Sequence, residues 1–335
     1  MSGDEIRRCA FRVIAYENRI AVEFFHALTD GTGALIFLKT LTAEYLRRQY
    51  GLSIPAEQGI LDIRENPRPE ELEDSFPVYA GLVPASRRER TAWHLQGTPE
   101  PGGFLRLTCF RLSVSSVLEM ARKYNVTVTA FLCAVMMDAL QTLQAEKIPN
   151  PRRRRPIKVL LPVNLRALFP SVTLRNFALY TTPEIDPRLG HHSFEELCAV
   201  ARHRMGLDIT PKQMGTRIAT NVRDERSLFI KLIPLPLKNL VMKAVFDSVG
   251  ERKSCLSLSN LGAVKLPEAM TSYVERLDFI LGPQASAPHN CGVISFGDML
   301  CINFIRTIQE PELELHFFRS LQRLGLPAQV QSNNE

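Results

Sequence analysis

His26 and Asp30 stand with three residues between them in "FFHALTDGTGALIFL" (24–38), a polar knot between two apolar runs. An imidazole, with an ordinary pKa of about 6.5, is a competent general base at cellular pH. A nearby carboxylate can fix the loop that presents it, and Gly31, directly after Asp30, permits a positive φ or a close backbone approach. The following segment reads as a helix, so its N-terminal amides are a further place where negative charge could rest. The plainer account of the same residues is a helix cap. In that account Asp30 or Thr32 caps, Gly31 turns, and His26 is a strand-end residue whose polar atoms are satisfied. A third account makes Gly31-Thr32-Gly33 a phosphate loop. The dinucleotide fingerprint then needs a glycine at position 36, where Ile36 stands, and a second parallel strand soon after the helix. Residues 51–102 offer no such strand, which sets that account aside.

The elements that must position these residues follow from hydrophobic period. "CAFRVIAYENRIAVEFF" (9–25) alternates on both sides of Glu17-Asn18, a strand pair with a tight turn that ends at His26. Over 33–50 the apolar residues Ala34, Phe37, Leu38, Leu41 and Tyr45 keep the helical period, and Gly51 supplies a stop. Residues 51–102 are rich in Pro, Glu, Arg and Gly and read as a long, partly ordered surface connection. "FLRLTCFRLS" (104–113) alternates as a strand. Helices are expected at 114–124 and 128–146, with Met136 and Met137 as core filler. "IKVLLPVN" and "FALYTTPEI" read as strands flanking a loop at 165–176. Residues 193–208 and 211–246 read as mainly helical, with Pro234 and Pro236 interrupting the second. Further strands are expected in "SCLSLSN" and at 273–280, 291–296 and 300–307, before a closing helix in "EPELELHFFRSLQRLG". Without regular βαβ alternation the expected class is α+β, two-lobed, with mixed sheets and flanking helices. The proline-bounded basic run "PNPRRRRP" (149–156) divides an N-terminal lobe, 1–148, from a C-terminal lobe, 157–327, and 328–335 reads as a disordered tail.

Composition narrows the class. Apolar residues at 45% and charged residues at 23% are ordinary globular values. A net charge of +6 suits anionic ligands but is too weak to point to nucleic acid, and none is expected as a partner. Seven cysteines, at 9, 109, 133, 198, 255, 291 and 301, are odd in number and form no CxxC. They read as buried free thiols of a reducing compartment, and no metal-ligand spacing is present. The opening "MSGDEIRRCA" lacks the apolar core of a signal peptide, and no segment reads as a membrane span free of charge and proline, so a cytoplasmic protein is expected. GxSxG, HExxH and GxxxxGK[ST] do not occur. Arg152–Arg155 suit phosphates or RNA, though a solvated hinge is the plainer reading. "LFIKLIPLPLKNLVMKAVF" (228–246) suits a membrane surface or an acyl chain, with core helices as the plainer reading. His191 and His192 flank a helix start, and His289 reads as a loop residue.

"EFFHALTDGTGALIFLKTLTAEYL" (23–46) resembles the active-site segment of the chloramphenicol-acetyltransferase-like superfamily, which HxxxDG marks. That group includes condensation domains of nonribosomal peptide synthesis, alcohol O-acetyltransferases and plant acyltransferases. "VLLPVNLRALFPSVTLRNF" (159–177) and "SLSNLGAVKLP" (257–267) resemble the same group, and the likeness runs from about residue 10 to 325. The plant signature DFGWG is absent, with only an echo in "ISFGDML" (294–300), and Phe25 stands where some branches have a second His.

The resemblance implies two lobes with the His facing a tunnel between them. An acyl thioester, on coenzyme A or an acyl carrier protein, is then the co-substrate, and a small-molecule alcohol or amine is the acceptor. His26 would deprotonate the acceptor, which attacks the thioester directly, with no permanently bound cofactor and no metal. Asp30 would be structural, paired with Arg166 or, alternatively, Arg175. Asn260 would hydrogen-bond substrate or an oxyanion, or else form a turn before Gly262. The superfamily carries more chain ahead of HxxxDG than the 25 residues here, so the expectation is either a true start further upstream or a shortened form with an incomplete first lobe. The alternative function is a catalytically inactive relative acting as a binding or interaction module.

Overall fold

Residues 9–25 alternate because they form a hairpin. β1 (Phe11–Tyr16) and β2 (Arg19–Phe24) pair antiparallel after a short helix, α1 (Gly3–Arg8), and Glu17 takes the left-handed backbone, φ 49°, that the tight turn requires. The computed structural model describes residues 3–84, 90–226, 253–284 and 287–333. α2 (Gly31–Tyr50) follows, stopped by Gly51 at φ 66°, whose N–H returns to the Arg47 carbonyl. Phe11 and Phe24 stack across the hairpin and meet the Phe37 ring of α2 edge-on.

The chain then runs through β3 (Arg106–Ser113), α3 (Val114–Lys123), α4 (Val128–Lys147), β4 (Ile157–Asn164), β5 (Ala178–Thr181) and β6 (Glu184–Ile185). α5 (Phe194–Asp208), α6 (Pro211–Arg226), β7 (Leu256–Val264) and α7 (Glu268–Thr271) come next. β8 (His289–Phe296), β9 (Met299–Arg306), α8 (Glu312–Arg323) and β10 (Gln329–Ser332) complete it. Eight strands make one mixed sheet in the order β10-β3-β9-β8-β7-β4-β5, with β6 also on β4. β4, β7 and β8 run parallel, and the other neighbours are antiparallel.

The period of two sorts this sheet into two cores. Phe110, Leu112, Cys291, Val293, Ile302 and Phe304 face α4 and its neighbours α5 and α8. Cys109, Ile294 and Cys301 face the other way, with Ala43 and Leu46 of α2 and Met270 of α7. Helices therefore cover both faces, and the fold is α+β, as the element pattern predicts. α4 is long and apolar enough to cross a membrane by length and composition, and it is mostly buried as the central core helix. Asp138 stands within it, and its apolar surface is buried against the sheet.

Other expectations also change. The run 149–156 does not divide two bodies: β3, from the supposed first lobe, lies between β9 and β10, and Trp93 and Gln144 bond the carbonyls of Pro156 and Arg155. Strand pairing is non-local, so a proline-bounded run need not be a boundary. The tail from 328 is ordered through 333, because β10 adds to the free edge of β3. Residues 273–280 form no strand. They cross the sheet face over Gly292, where a Cβ would strike the Phe279 carbonyl; Asn303 Nδ2 reaches that carbonyl at 3.3 Å, and just beyond the segment Asn290 Nδ2 reaches the Gly282 carbonyl at 2.8 Å. His289 starts β8 and is 1% exposed rather than lying in a loop. The helix expected over 211–246 is present as α6 to residue 226. Its continuation, with the segment 228–246, lies outside the described residues.

His289 belongs to a buried charge group. Arg306, 2% exposed, donates to Glu314 Oε1 at 2.8 Å and to the Ile308 carbonyl at 3.1 Å, while His289 Nε2 lies 3.3 Å from Glu314 Oε2. Removing one partner strands the other charge in the core. Glu314→Ala is expected to cost about 3–5 kcal/mol, read as a lower urea midpoint at unchanged slope. Stability within 1 kcal/mol of the parent would contradict the pairing.

Candidate functional site

Asp30 closes the strand-to-helix turn. It is the N-cap of α2, and its Oδ1 accepts from the N–H groups of Thr32 (3.0 Å) and Gly33 (3.1 Å). A capping carboxylate also sits favourably in the field of the helix N-terminus. Its second oxygen faces the protein interior. Oδ2 accepts from Arg166 Nη1 at 2.6 Å and from the Phe177 N–H at 2.8 Å, and Asp30 is 5% exposed. Those amides are therefore occupied by Asp30 and are not free to receive other negative charge.

Arg166 is the second half of the brace. It follows β4, where Asn164 caps a short turn, and its guanidinium uses every side. Nε donates to the Thr173 carbonyl (2.8 Å), Nη2 to the Arg175 carbonyl (2.6 Å), and Nη1 to Asp30 and to Asn164 Oδ1 (3.2 Å). Arg175 thus takes part through its backbone, not as the ion-pair partner. The loop 165–177 is in turn stitched to the long connection: Thr173 Oγ1 donates to the Glu73 carbonyl (2.6 Å), and the hydroxyls of Ser75 and Ser171 meet at 2.8 Å.

His26 sits in the turn between β2 and this brace, anchored by the Phe25 N–H on the Ala10 carbonyl at 2.8 Å. Its side chain is exposed, with Phe25 and Leu28 exposed beside it, so the described residues do not enclose it in a tunnel. Among the described residues, one group holds the ring. Asn176 Nδ2 lies 3.3 Å from His26 Nδ1 and 3.3 Å from the His26 carbonyl, while Asn176 Oδ1 is buried with no partner. Asn176 was not singled out from the sequence. Its only local signal is a polar residue directly before Phe177, which leads into β5.

The glycines act by close approach, not by positive φ. A Cβ on Gly33 would overlap the Thr29 hydroxyl and the Leu174 carbonyl, which bond each other at 2.6 Å. A Cβ on Gly31 would stand 2.7 Å from Leu261 Cδ2 and 3.5 Å from Phe279 Cζ. Asn260 is committed to structure. Its Nδ2 donates to Thr129 Oγ1 (3.0 Å), and its Oδ1 accepts from the N–H of Gly262 (φ 77°), closing the bulge in β7. Of its two sequence readings, the turn is the one the geometry contains. Arg152 and Arg153 are exposed in a short turn, and Arg154 bonds the Ile148 carbonyl at 3.0 Å.

No protein-family model matches the chain, and no curated protein matches it. Solved structures do. Trichothecene 15-O-acetyltransferase from Fusarium sporotrichioides shares 13% identity at a TM-score of 0.54, over 94% of this chain and 69% of its own. The TRI101 protein of Fusarium sporotrichioides, solved with coenzyme A and T-2, shares 12% at a TM-score of 0.53, over 93% and 66%. A structure of condensation domain-mediated chain release from the enacyloxin polyketide synthase shares 15% at a TM-score of 0.47, over 94% and 60%. The chain spans 60–69% of the length of these proteins. At these identities the fold is what is shared.

Because Asp30 makes four hydrogen bonds with almost no exposure, its loss strands Arg166 as well. Asp30→Ala is expected to destabilise by about 3–5 kcal/mol. Gly33→Ala is expected to cost about 1–3 kcal/mol, since backbone stands in the way. Thermal denaturation measures both, and an unshifted Tm in either variant would contradict the brace.

Proposed function

We propose that the protein transfers an acyl group from a thioester to an alcohol or amine, with His26 as the general base. The observation that carries this reading is the Asp30–Arg166 brace: a buried, fully bonded ion pair holds the turn that offers a solvent-facing imidazole. In the reaction, a ring nitrogen of His26 takes the proton of the acceptor hydroxyl or amine as its oxygen or nitrogen attacks the thioester carbonyl. The tetrahedral adduct collapses, the C–S bond breaks, and the proton passes from His26 to the departing thiolate. A thioester is already activated, so no acyl-enzyme is required. Coenzyme A in the TRI101 structure makes an acyl-CoA donor the first to test, with an acyl carrier protein as the other donor class.

The Asn176 amide decides which nitrogen serves. With Nδ2 donating to Nδ1, a neutral ring keeps its proton on Nε2. The same Nδ2 also reaches the His26 carbonyl, which a turned-over amide could not do, so Nδ1 is the unprotonated nitrogen and serves as the base once the acceptor displaces the amide. A second reading, an inactive relative that binds a partner, draws on the exposed apolar side chains Val13, Ile14 and Tyr16 of β1. Six of the seven cysteines are buried free thiols, which supports a reducing compartment, and the cytoplasm is proposed on that ground.

Acetyl-CoA and longer acyl-CoA thioesters, offered with a panel of alcohols and amines, are expected to release free thiol only when an acceptor is present. His26→Ala is expected to lower kcat by about 10²–10⁴. Unchanged thiol release in His26→Ala would overturn the base assignment. A folded parent that is inert to every donor, including carrier-bound ones, would favour the binding module.

A further inference from the structure

Cys109, Asp278 and Cys301 lie far apart in the chain and meet on one side of the sheet. Cys109 is on β3 and Cys301 on β9, both buried on the face that also carries Ile294. The β3–β9 register sets Cys109 opposite Asn303 and Arg111 opposite Cys301, so the two thiols are diagonal neighbours. Diagonal positions on antiparallel strands stand about 7–8 Å apart, whereas a disulfide needs Cα atoms within about 4.4–6.8 Å. Both are free thiols. The two sulfurs and a carboxylate oxygen of Asp278 all lie within 4.8 Å of one another, and Cys109 Sγ is 3.9 Å from Asp278 Oδ1. A tetrahedral zinc, with Zn–S about 2.3 Å and Zn–O about 2.1 Å, separates S from O by about 3.6 Å. The Cys109 Sγ–Asp278 Oδ1 spacing is within a few tenths of an ångström of a metal-bridged S–O pair.

We propose that Cys109, Asp278 and Cys301 bind one thiophilic divalent cation of the zinc class, with a fourth position left to water on the Asp278 side. The surrounding groups suit that role. Arg276 Nε holds Asp278 Oδ2 at 2.8 Å, which leaves Oδ1 turned toward Cys109, and Asn303 Nδ2 lies 3.4 Å from Oδ1. Such outer contacts orient a ligating carboxylate. Two thiolates, one carboxylate and a divalent cation sum to one negative charge, which the guanidiniums of Arg276 and Arg111 offset. Binding exchanges two thiol protons, released to solvent, for the cation.

The cation would clip the segment 273–284, which makes no ladder hydrogen bonds of its own, to β3 and β9. The Phe279 ring in that segment lies 3.5 Å from where a Cβ on Gly31 would stand, so the clip steadies the floor beside the start of α2. The site is independent of whether acyl transfer occurs.

The test uses the full chain carrying Cys9→Ser, so that the exposed thiol contributes nothing, stripped with chelator and titrated anaerobically with Co²⁺ alone. One equivalent is expected to give thiolate-to-cobalt charge-transfer and tetrahedral d–d bands, bleached by one equivalent of Zn²⁺. Cys109→Ala and Cys301→Ala are expected to abolish the bands. Asp278→Asn, at the solvent-facing ligand, keeps the fold by circular dichroism and is expected to weaken binding about tenfold or more. Zn²⁺ is expected to raise the Tm of the Cys9→Ser chain and not that of its Asp278→Asn form. Absence of a stoichiometric charge-transfer band, bands that survive Cys109→Ala, or a Cys109–Cys301 disulfide in the freshly purified protein would each overturn the proposal. If the alanine variants fail to fold, the Asp278→Asn comparison decides alone, and equal affinity there overturns it.

Discussion

A single buried ion pair organises the candidate site. Asp30 and Arg166 are nearly removed from water, and every oxygen and nitrogen of the pair is engaged. Burying two charges is costly, and the cost is offset only when geometry and hydrogen bonding are complete. Here they are complete because the pair does three jobs together. It caps α2, it closes the loop after β4, and it receives the N–H of Phe177 where the chain enters β5. A rigid junction of three chain segments follows, and His26 rides on its rim.

The junction depends in turn on the sheet. β4, β7 and β8 are parallel neighbours, so their C-terminal ends lie on one side, and the groups next to α2 come from there: Asn164 from β4, and Leu261 and the Asn260 bulge from β7. Parallel strands must be buried on both faces. α2 and α7 cover one face and α4 with its neighbours the other, which explains why α4 is as apolar as a membrane span while lying inside a globular core.

The reactive side of the junction is open. His26, Phe25 and Leu28 are exposed, and the hairpin that precedes them meets α2 through the Phe11, Phe24 and Phe37 rings while most of β1 faces solvent. The buried side is closed by side chains, not by ladder bonds: the segment over Gly292 is held by the Asn290 and Asn303 amides. The two sides differ in kind. One holds a base where a substrate can approach it, and the other holds scaffold.

Local patterns were legible in the sequence because they depend on neighbours in the chain. The alternation around Glu17-Asn18 makes the hairpin, Asp30 before Gly31 makes the cap, Gly51 makes the stop, and the period of two in "FLRLTCFRLS" makes a strand with two different faces. The HxxxDG segment and the two later segments that resemble the same group were enough to expect the fold. What only the tertiary structure decided is non-local. Arg166 reaches Asp30 across 136 positions, β3 joins strands that lie almost two hundred residues further on, and Asn260 spends both ends of its amide on Thr129 and Gly262. No spacing rule shows that Asn176 touches His26, or that Cys109, Asp278 and Cys301 converge. The physical reason is the same for each: strand order in a mixed sheet is set by which apolar faces can be buried together, and that is a property of the whole chain rather than of any window in it.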